Sequence, residues 1–197
     1  MELLQGSWIC FSIKAQDYNG EDVAVLAALS VEVWMTTYAQ DGVNKLYAEY
    51  ALSTFTPKAF TDWFENPNQK IFVAETDVGV VGYLRLDGNA TLPSHKGAVF
   101  IIQTLYVKES FTGKGLGQKL MKEAIRYCAQ QGGRSLQLHV LYSNKRAIAF
   151  YENVKFGVIG ETYFELGEER HLNYVMERLI EKNLQPKQEK VLFPAYN

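Results

Sequence analysis

The segment FTGKGLGQKL, residues 111–120, places three glycines at alternate positions immediately before a predicted helix. Glycine costs backbone entropy and weakens a helix by about 1 kcal/mol relative to alanine, so the repetition needs a reason. Backbone N–H groups from Gly113 to Gln118, unobstructed by side chains and backed by the helix dipole, would form a cradle for a pyrophosphate. Lys114 would add a positive charge at its rim. A strand-to-helix turn whose glycines only relieve strain is the alternative.

Two common phosphate fingerprints do not fit these residues. A Walker loop requires glycine, four residues and then Gly-Lys-Ser/Thr, and the segment Gly113-Lys114-Gly115 has neither this spacing nor the hydroxyl. A dinucleotide fingerprint starting at Gly113 requires its third glycine at position 118, where Gln118 stands. A nucleotide-binding protein of either class is therefore disfavoured.

Hydrophobic periodicity and turn signals predict an order of strand, helices, three strands, helix, strand, helix and two strands. The first long helix is predicted to bury Val25, Leu26, Leu29 and Val33, and a short second helix covers Thr56–Glu65. Helices separate the central strands, which predicts a mixed sheet covered by helices. The predicted strands are Ser7–Lys14, Lys70–Thr76, Val80–Asp87, Ala98–Val107, Ser135–Tyr142, Phe156–Leu166 and His171–Leu179, and two further helices follow residues 115 and 143.

The chain has 197 residues, 47% of them hydrophobic, which predicts one domain over residues 1–180 and a tail over 181–197. The tail could be loose or could lie on a neighbour in a homodimer. A net charge of −2, with 20 basic and 22 acidic residues, gives no sign of a nucleic acid or membrane partner. Two cysteines, Cys10 and Cys128, no metal-ligand spacing and an acidic N-terminus are typical of a cytoplasmic protein with buried thiols and no metal.

The segment FTGKGLGQKLMKEAI resembles the coenzyme A pyrophosphate motif of the GNAT superfamily of N-acetyltransferases, Gln/Arg-x-x-Gly-x-Gly/Ala, and NKRAIAFYENVKFGVIGE resembles the second coenzyme A motif. Finding both in order, separated by one strand, is more specific than either motif alone. The resemblance runs from about residue 21 to 179 and implies an α/β (α+β) three-layer fold, with about seven strands flanked by about four helices. The closing segment FYENVKFGVIGETYFELGEERHLNYVM is most similar to the bacterial spermine/spermidine (polyamine) acetyltransferase branch.

The resemblance also implies roles for individual residues, with acetyl-coenzyme A as co-substrate. The end of the predicted Ala98–Val107 strand would present its backbone to the pantetheine arm, as an added strand pairs with a sheet edge. Tyr151 matches the tyrosine that donates a proton to the leaving thiolate. The implied cofactor-binding residues are Leu105, Tyr106 and Val107 for the pantetheine arm, Thr112, Gly113, Lys114, Gly115, Leu116 and Gly117 for the pyrophosphate, and Asn144 for the cofactor arm.

Two positions depart from the family pattern. Thr112 stands where the motif usually has Gln or Arg, which shortens or removes one side-chain contact to phosphate. Gln103 stands where the polyamine branch usually has an acid, and a neutral amide cannot accept a proton as a base. The base is therefore unassigned. His139 is a candidate, although a lone histidine in an apolar strand is more typical of a hydrogen-bonded core residue. The other candidates are Tyr106 and a water chain to Glu165, Glu168 or Glu169.

Structural explanations compete with several of these roles. Tyr151 lies on the apolar face of its predicted helix, where it could pack with its hydroxyl bonded to a neighbour. An acidic turn between strands is usually solvated, although it would suit a cationic amine. Core packing explains the aromatic residues of the first helices nearly as well as an acceptor slot does; these residues are Trp34, Tyr38, Tyr47, Tyr50 and Trp63.

The sequence thus predicts an acetyl-coenzyme A dependent N-acetyltransferase that transfers the acetyl group directly to a small primary amine such as a polyamine. A peptide N-terminus or a lysine is the alternative acceptor. A domain that binds acetyl-coenzyme A with little catalysis remains a second class, because Gln103 replaces the usual acid. A nucleotide-binding protein is the third.

Overall fold

Seven strands of the computed structural model form one sheet, in the order β1-β2-β3-β4-β5-β7-β6. The structure describes residues 12–15, 22–90 and 98–181. Only β4 and β5 are parallel, and α4 connects them as a crossover; every other neighbouring pair is antiparallel. The elements are β1 (Ser12–Ala15), α1 (Asp22–Tyr38), α2 (Lys45–Thr54), α3 (Pro57–Glu65), β2 (Gln69–Glu75), β3 (Val80–Ala90), β4 (Ala98–Val107), a 3₁₀ turn (Glu109–Phe111), α4 (Leu116–Gln130), β5 (Gly133–Leu141), α5 (Lys145–Asn153), β6 (Gly157–Leu166) and β7 (Glu169–Leu179).

Helices cover both faces of this sheet, as the predicted three-layer fold requires. On one face, α4 and α5 bury an apolar core that includes Leu120, Met121 and Ile148 against β2 to β5. On the other face, α1 and α3 pack Leu26 and Phe60 against β2 and β3. Burying such side chains contributes about 1.5–3 kcal/mol each, which holds the two helical layers on the sheet.

Helix α1 buries a different face from the one predicted. Leu26 and Leu29 are buried as predicted, but Val25 is 45% exposed. The face includes Ser30 instead, whose hydroxyl donates to the Leu26 carbonyl oxygen (2.6 Å) and lies 2.7 Å from the Tyr83 hydroxyl. A buried hydroxyl is tolerated in a core when it is hydrogen-bonded. Because serine is polar, the hydrophobic pattern of the sequence did not assign Ser30 to the buried face.

Helix α2 was not predicted, so the described residues contain five helices where about four were expected. Its N-terminus carries a clear signal, because Asn44 accepts a hydrogen bond from the Tyr47 amide (2.8 Å). Its apolar pattern is weak, since Ala51 is its only fully buried residue and Leu52 is 65% exposed. The predicted α3 begins as expected, with Thr56 as N-cap and proline in the first turn.

The parallel strands β4 and β5 pair only over the first part of their length. Their register ends at Ile102 and Leu138, although both strands continue. Gln103 lies at an irregularity of the β3–β4 ladder, between the pairs that Ile102 and Thr104 make with β3. An extra residue of this kind bends a strand, and the ends of β4 and β5 diverge from it. The divergence opens the sheet in front of α4 and α5.

Several predictions fall wholly or partly outside the described residues. The first strand is described only as β1, so Cys10 and the start of the predicted Ser7–Lys14 strand lie outside, as does the tail beyond Glu181. The homodimer and cytoplasmic predictions therefore remain predictions. Cys128 is buried, and this burial raises the pKa of its thiol to about 12. Within the described part of the chain, every helix is too short or too polar to cross a bilayer.

Candidate active site

A cavity of about 860 Å³ occupies the gap between the diverging ends of β4 and β5. Its walls come from the C-terminal half of α1, the end of β4, the glycine loop, the start of α4, the end of β5 and α5. Nearly all the predicted site residues line it, although they come from three separate parts of the sequence. The predicted residues in its lining are Leu105, Tyr106, Val107, Thr112, Gly113, Gly115, Leu116, Gly117, Asn144 and Tyr151; Lys114 does not line it.

The three glycines of the loop meet two different requirements. Gly113 and Gly115 have φ values of +71° and +78°, a left-handed conformation that costs other residues about 1–2 kcal/mol. Gly117 lies in the first turn of α4, where a Cβ atom would come within 3.2 Å of the Phe150 ring. The turn therefore needs the first two glycines, and the packing of α4 on α5 needs the third.

The loop also presents free amides to the cavity. Lys119 donates from its amide to the Gly115 carbonyl oxygen (3.1 Å), and this is the first backbone bond of α4. The amides of residues 116–118 precede that bond and have no acceptor within the helix. They point out of the N-terminus, where the helix dipole favours an anion. The loop thus has the donors that a pyrophosphate requires.

The polar groups of Thr112 and Lys114 have partners within the turn and the loop. The Thr112 amide donates to the Glu109 carbonyl oxygen (3.1 Å), and its hydroxyl donates to the same oxygen (2.8 Å). Both donors of Thr112 are therefore occupied by the preceding turn. The Lys114 ammonium lies 5.0 Å from the centre of the Phe111 ring, which is a cation–π contact.

The end of β4 leaves one backbone edge unpaired. Leu105, Tyr106 and Val107 pair with β3 on one side, opposite Leu84, Tyr83 and Gly82. The pairing with β5 has ended before them, so alternate backbone groups on their other side face the cavity. An extended amide-containing chain can bind such an edge as an added strand does.

Asn144 and Tyr151 lie one above the other on α5, at the wall of the cavity. The Asn144 side-chain oxygen caps the helix by accepting from the Ala147 amide (3.0 Å), which leaves the side-chain NH₂ as a donor. The Tyr151 ring packs against Phe150 and Phe156, with centroid distances of 5.3 and 5.9 Å. Burial alone raises the Tyr151 pKa, so no hydrogen-bond partner contributes to the shift. Tyr151 therefore holds its proton at neutral pH.

Comparison with known proteins identifies this arrangement. Residues 40–157, more than half of the chain, match the acetyltransferase (GNAT) family. The chain belongs to the GNAT family of acetyltransferases. The predicted family, enzyme class and co-substrate, an N-acetyltransferase that uses acetyl-coenzyme A, are thereby confirmed.

Individual relatives agree with this assignment. An uncharacterized N-acetyltransferase of Methanocaldococcus jannaschii is 29% identical over 117 residues, which are 57% of this chain and 52% of the relative, so the match spans about half of that protein. An uncharacterized N-acetyltransferase of Lactobacillus delbrueckii subsp. lactis is 23% identical over 169 residues, 85% of this chain and 98% of the relative.

Among solved structures, the PaiA N-acetyltransferase of Thermoplasma acidophilum, in complex with coenzyme A, is similar to this chain with a TM-score of 0.70 and 21% identity. The match covers 85% of this chain and 99% of that one. It confirms the mixed α/β fold of GNAT proteins. The two sequence relatives are uncharacterized, so the finer resemblance to the polyamine branch is not confirmed.

The structure changes the interpretation of His139 in this GNAT domain. The sequence favoured a hydrogen-bonded core histidine, and this is wrong: the side chain is exposed and lines the cavity, one residue beyond the last β4–β5 pair. Partial burial lowers the pKa of the imidazole, which is consequently neutral at pH 7 and able to accept a proton. Gln103 lines the same cavity from the opposite strand.

The other candidate bases are less well placed. Tyr106 lines the cavity, but burial raises its pKa well above 10, so it is a neutral phenol. The acidic turn lies outside the lining of the cavity. There, Glu169 accepts a hydrogen bond from the Tyr47 hydroxyl (2.9 Å), and Glu165 lies 3.4 Å from the Arg170 guanidinium.

Only Tyr38 of the five aromatic residues considered for an acceptor slot lines the cavity. Trp34 is 3% exposed and packs against Tyr38 and Tyr50, at centroid distances of 4.8 and 4.9 Å, and against Tyr47 at 5.8 Å. Trp63 instead holds the Arg85 guanidinium over its ring at 3.9 Å. Core packing therefore accounts for Trp34, while Tyr38 forms part of the cavity wall.

Sequence reasoning missed other residues of the cavity. Arg146, in the first turn of α5, lines it and forms an ion pair with Glu109 beside the glycine loop. Phe150 contributes the ring against which Gly117 packs. Thr37 lines the cavity from the C-terminal end of α1. Arg146 lies inside the second coenzyme A motif, so its positive charge could have marked it as a candidate site residue. Its ion pair could not be predicted, because Glu109 is 37 residues away in the sequence.

Proposed function

We propose that this GNAT protein transfers the acetyl group of acetyl-coenzyme A directly to a primary amine, and that the acceptor is a small amine such as a polyamine. The observation that carries the proposal is the cavity between β4 and β5. It brings together an anion-binding helix terminus, an unpaired strand edge, a protonated tyrosine and a neutral histidine. Each of these groups has a task in acetyl transfer from a thioester.

The cofactor would enter this cavity with its pyrophosphate at the glycine loop. The amides of residues 113–118 would donate to the phosphate oxygens, at the positive end of the α4 dipole. The pantetheine arm would then run along Leu105 to Val107, where its amides pair with the unpaired edge of β4. The Asn144 side-chain NH₂ would donate to the same arm.

Acetyl transfer then uses groups that line the gap between β4 and β5. The amine nitrogen attacks the thioester carbonyl carbon, and backbone N–H groups of β4 stabilise the developing oxyanion. As the C–N bond forms, the C–S bond breaks, and Tyr151 donates its proton to the departing thiolate sulfur. The nitrogen loses its second proton to solvent as the neutral amide forms, and the tyrosine regains a proton from solvent. No covalent bond to the protein forms, because the amine reacts with the bound thioester directly.

The attacking amine must first lose a proton, and we assign this step to His139. Its imidazole lines the cavity, and the lowered pKa keeps it unprotonated and able to act as a base at neutral pH. A water molecule between the imidazole and the substrate ammonium can carry the proton, because His139 lies on β5, across the cavity from Gln103 on β4. Gln103 itself would orient the amine by hydrogen bonding.

Acetyl-coenzyme A dependent thiol release tests the proposal. The full chain would be incubated with acetyl-coenzyme A and a panel of a polyamine, a simple monoamine, a lysine-containing peptide and a peptide with a free N-terminus. The proposal predicts turnover with the polyamine above all other acceptors. Turnover only with the peptides would assign a protein or peptide acceptor instead. Binding of acetyl-coenzyme A without turnover on any amine would favour a binding domain and contradict the proposal.

A further inference from the structure

An ion pair joins the turn before the glycine loop to α5, at the wall of the cavity. The Arg146 guanidinium donates to both carboxylate oxygens of Glu109, at 2.6 and 2.8 Å. Arg146 belongs to α5 and lines the cavity, whereas Glu109 lies in the 3₁₀ turn that leads into the glycine loop. The pair raises the pKa of Arg146 and lowers that of Glu109, as opposite charges in contact do.

The stability of the fold does not explain this pair. Both side chains are more than half exposed, at 69% for Arg146 and 57% for Glu109, and exposed ion pairs contribute little to folding. Arg146 also lies in the first turn of α5, where the helix dipole disfavours a positive charge. A guanidinium placed there against the dipole is better explained by an anionic ligand in the adjoining cavity.

At position 112, where the motif usually has Gln or Arg, the glycine loop has a threonine and therefore no positive charge. Both donors of Thr112 are bonded to the Glu109 carbonyl oxygen, and Lys114 lies over the Phe111 ring and outside the lining of the cavity. Arg146 lines the cavity together with Gly113 and Gly115. Its planar fork, which now binds a carboxylate through two hydrogen bonds, fits two phosphate oxygens equally well.

We infer that Arg146 exchanges Glu109 for the pyrophosphate of coenzyme A, and thereby supplies from α5 the side-chain contact that Thr112 does not make. The inference rests on the placement of the pyrophosphate at the glycine loop in the proposed function. Glu109 holds the guanidinium in place and neutralises it while the cavity is empty. In the complex, the carboxylate competes with the phosphates for Arg146 and repels them.

Glu109 separates this inference from a structural role of the pair. If the pair only tethers the 3₁₀ turn to α5, then replacing Glu109 loosens the glycine loop and weakens cofactor binding. If Arg146 exchanges partners, then Glu109→Gln removes both a competitor and a negative charge, and binding becomes tighter. The two roles therefore predict changes of opposite sign in the dissociation constant.

The experiment is calorimetric titration of the full chain with coenzyme A, dephospho-coenzyme A and pantetheine. Three variants are compared with the wild type: Arg146→Gln, Glu109→Gln and the control Lys145→Gln. Lys145 precedes Arg146 on the same helix turn, and its ammonium donates to the Tyr142 carbonyl oxygen (2.9 Å) outside the cavity lining. The control removes one positive charge at almost the same place.

Arg146→Gln is expected to weaken coenzyme A binding by roughly tenfold, and the loss should shrink at high salt. The same loss is expected with dephospho-coenzyme A, which retains the pyrophosphate, and none with pantetheine. Glu109→Gln should tighten coenzyme A binding by about two- to fivefold, and Lys145→Gln should change it less than twofold.

Three results would overturn the inference: equal coenzyme A binding by Arg146→Gln and wild type, weaker binding by Glu109→Gln, or a loss confined to coenzyme A and absent with dephospho-coenzyme A. The last result would assign Arg146 to the 3′-phosphate instead. Failure of the proposed pyrophosphate site itself is distinct from these results, because the wild type would then bind coenzyme A no better than pantetheine.

Discussion

Replacing Tyr151 with phenylalanine removes one oxygen atom from the wall of the cavity and leaves its packing in place. The ring contacts with Phe150 and Phe156 do not involve the hydroxyl. Burial is the only cause of the raised Tyr151 pKa, so the variant breaks no side-chain hydrogen bond that contributes to it. We therefore expect the free energy of unfolding to change by less than about 0.5 kcal/mol.

The effect on catalysis should be much larger. A positioned general acid contributes about 10²- to 10⁴-fold, and a hundredfold loss corresponds to about 2.7 kcal/mol of activation free energy. Tyr151 remains protonated throughout the neutral range, so the full contribution is present in the wild type at pH 7. We expect the kcat of Tyr151→Phe to fall about a hundredfold. The Michaelis constant for acetyl-coenzyme A should stay within about twofold, because the hydroxyl acts on the departing thiolate.

Initial rates of thiol release at saturating amine measure both constants. Tyr142→Phe is the matched control, since it removes the same atom from a tyrosine that is 45% exposed and does not line the cavity. Its kcat should equal that of the wild type. An unchanged kcat in Tyr151→Phe would refute the assignment of the acid and would leave water as the proton donor. A raised Michaelis constant with normal kcat would mean that Tyr151 only shapes the cavity.

Three other substitutions test separate parts of the account. Gly115→Glu should abolish coenzyme A binding in calorimetry, whereas Gly115→Ala should still bind, because its Cβ would have no atom within 4 Å. The left-handed φ should cost the alanine variant about 1–2 kcal/mol of stability, and equal coenzyme A binding by both variants would contradict the proposed pyrophosphate site. His139→Gln should lower kcat/KM and abolish its fall at acidic pH, which sets in as the imidazole protonates below its usual pKa; a retained acidic limb would exclude His139 as the base. Ser30→Ala should lower the free energy of unfolding in urea by about 1 kcal/mol, because it removes the hydrogen bond between the Ser30 and Tyr83 hydroxyls; an unchanged midpoint would show that the buried hydroxyl pair adds nothing.

Local sequence patterns predicted the parts of the site that depend on neighbouring residues. The glycine spacing marked the loop because left-handed backbone at positions 113 and 115 is a local requirement. The β4 bounds, Ala98–Val107, were predicted to the residue, since a continuous apolar run followed by a turn leaves little freedom. Asn144 and Tyr151 lie seven residues apart, close to two helical turns, so their common face followed from the spacing.

Features that depend on contacts between distant residues were not predicted. His139 was taken for a core residue because the sequence does not show where the β4–β5 pairing stops. The ion pair of Arg146 with Glu109 joins two elements that only the folded sheet brings together. Helix α2 was missed because its packing relies on a single fully buried residue, Ala51, which gives almost no periodic signal.

A crystal structure of the protein with coenzyme A bound tests the central claim most directly. The account predicts that the pyrophosphate accepts hydrogen bonds from the amides between Gly113 and Gln118, and that the thiol lies between the ends of β4 and β5, beside Tyr151. A pyrophosphate bound away from this loop, or a thiol that emerges outside the gap between the two strands, would contradict it.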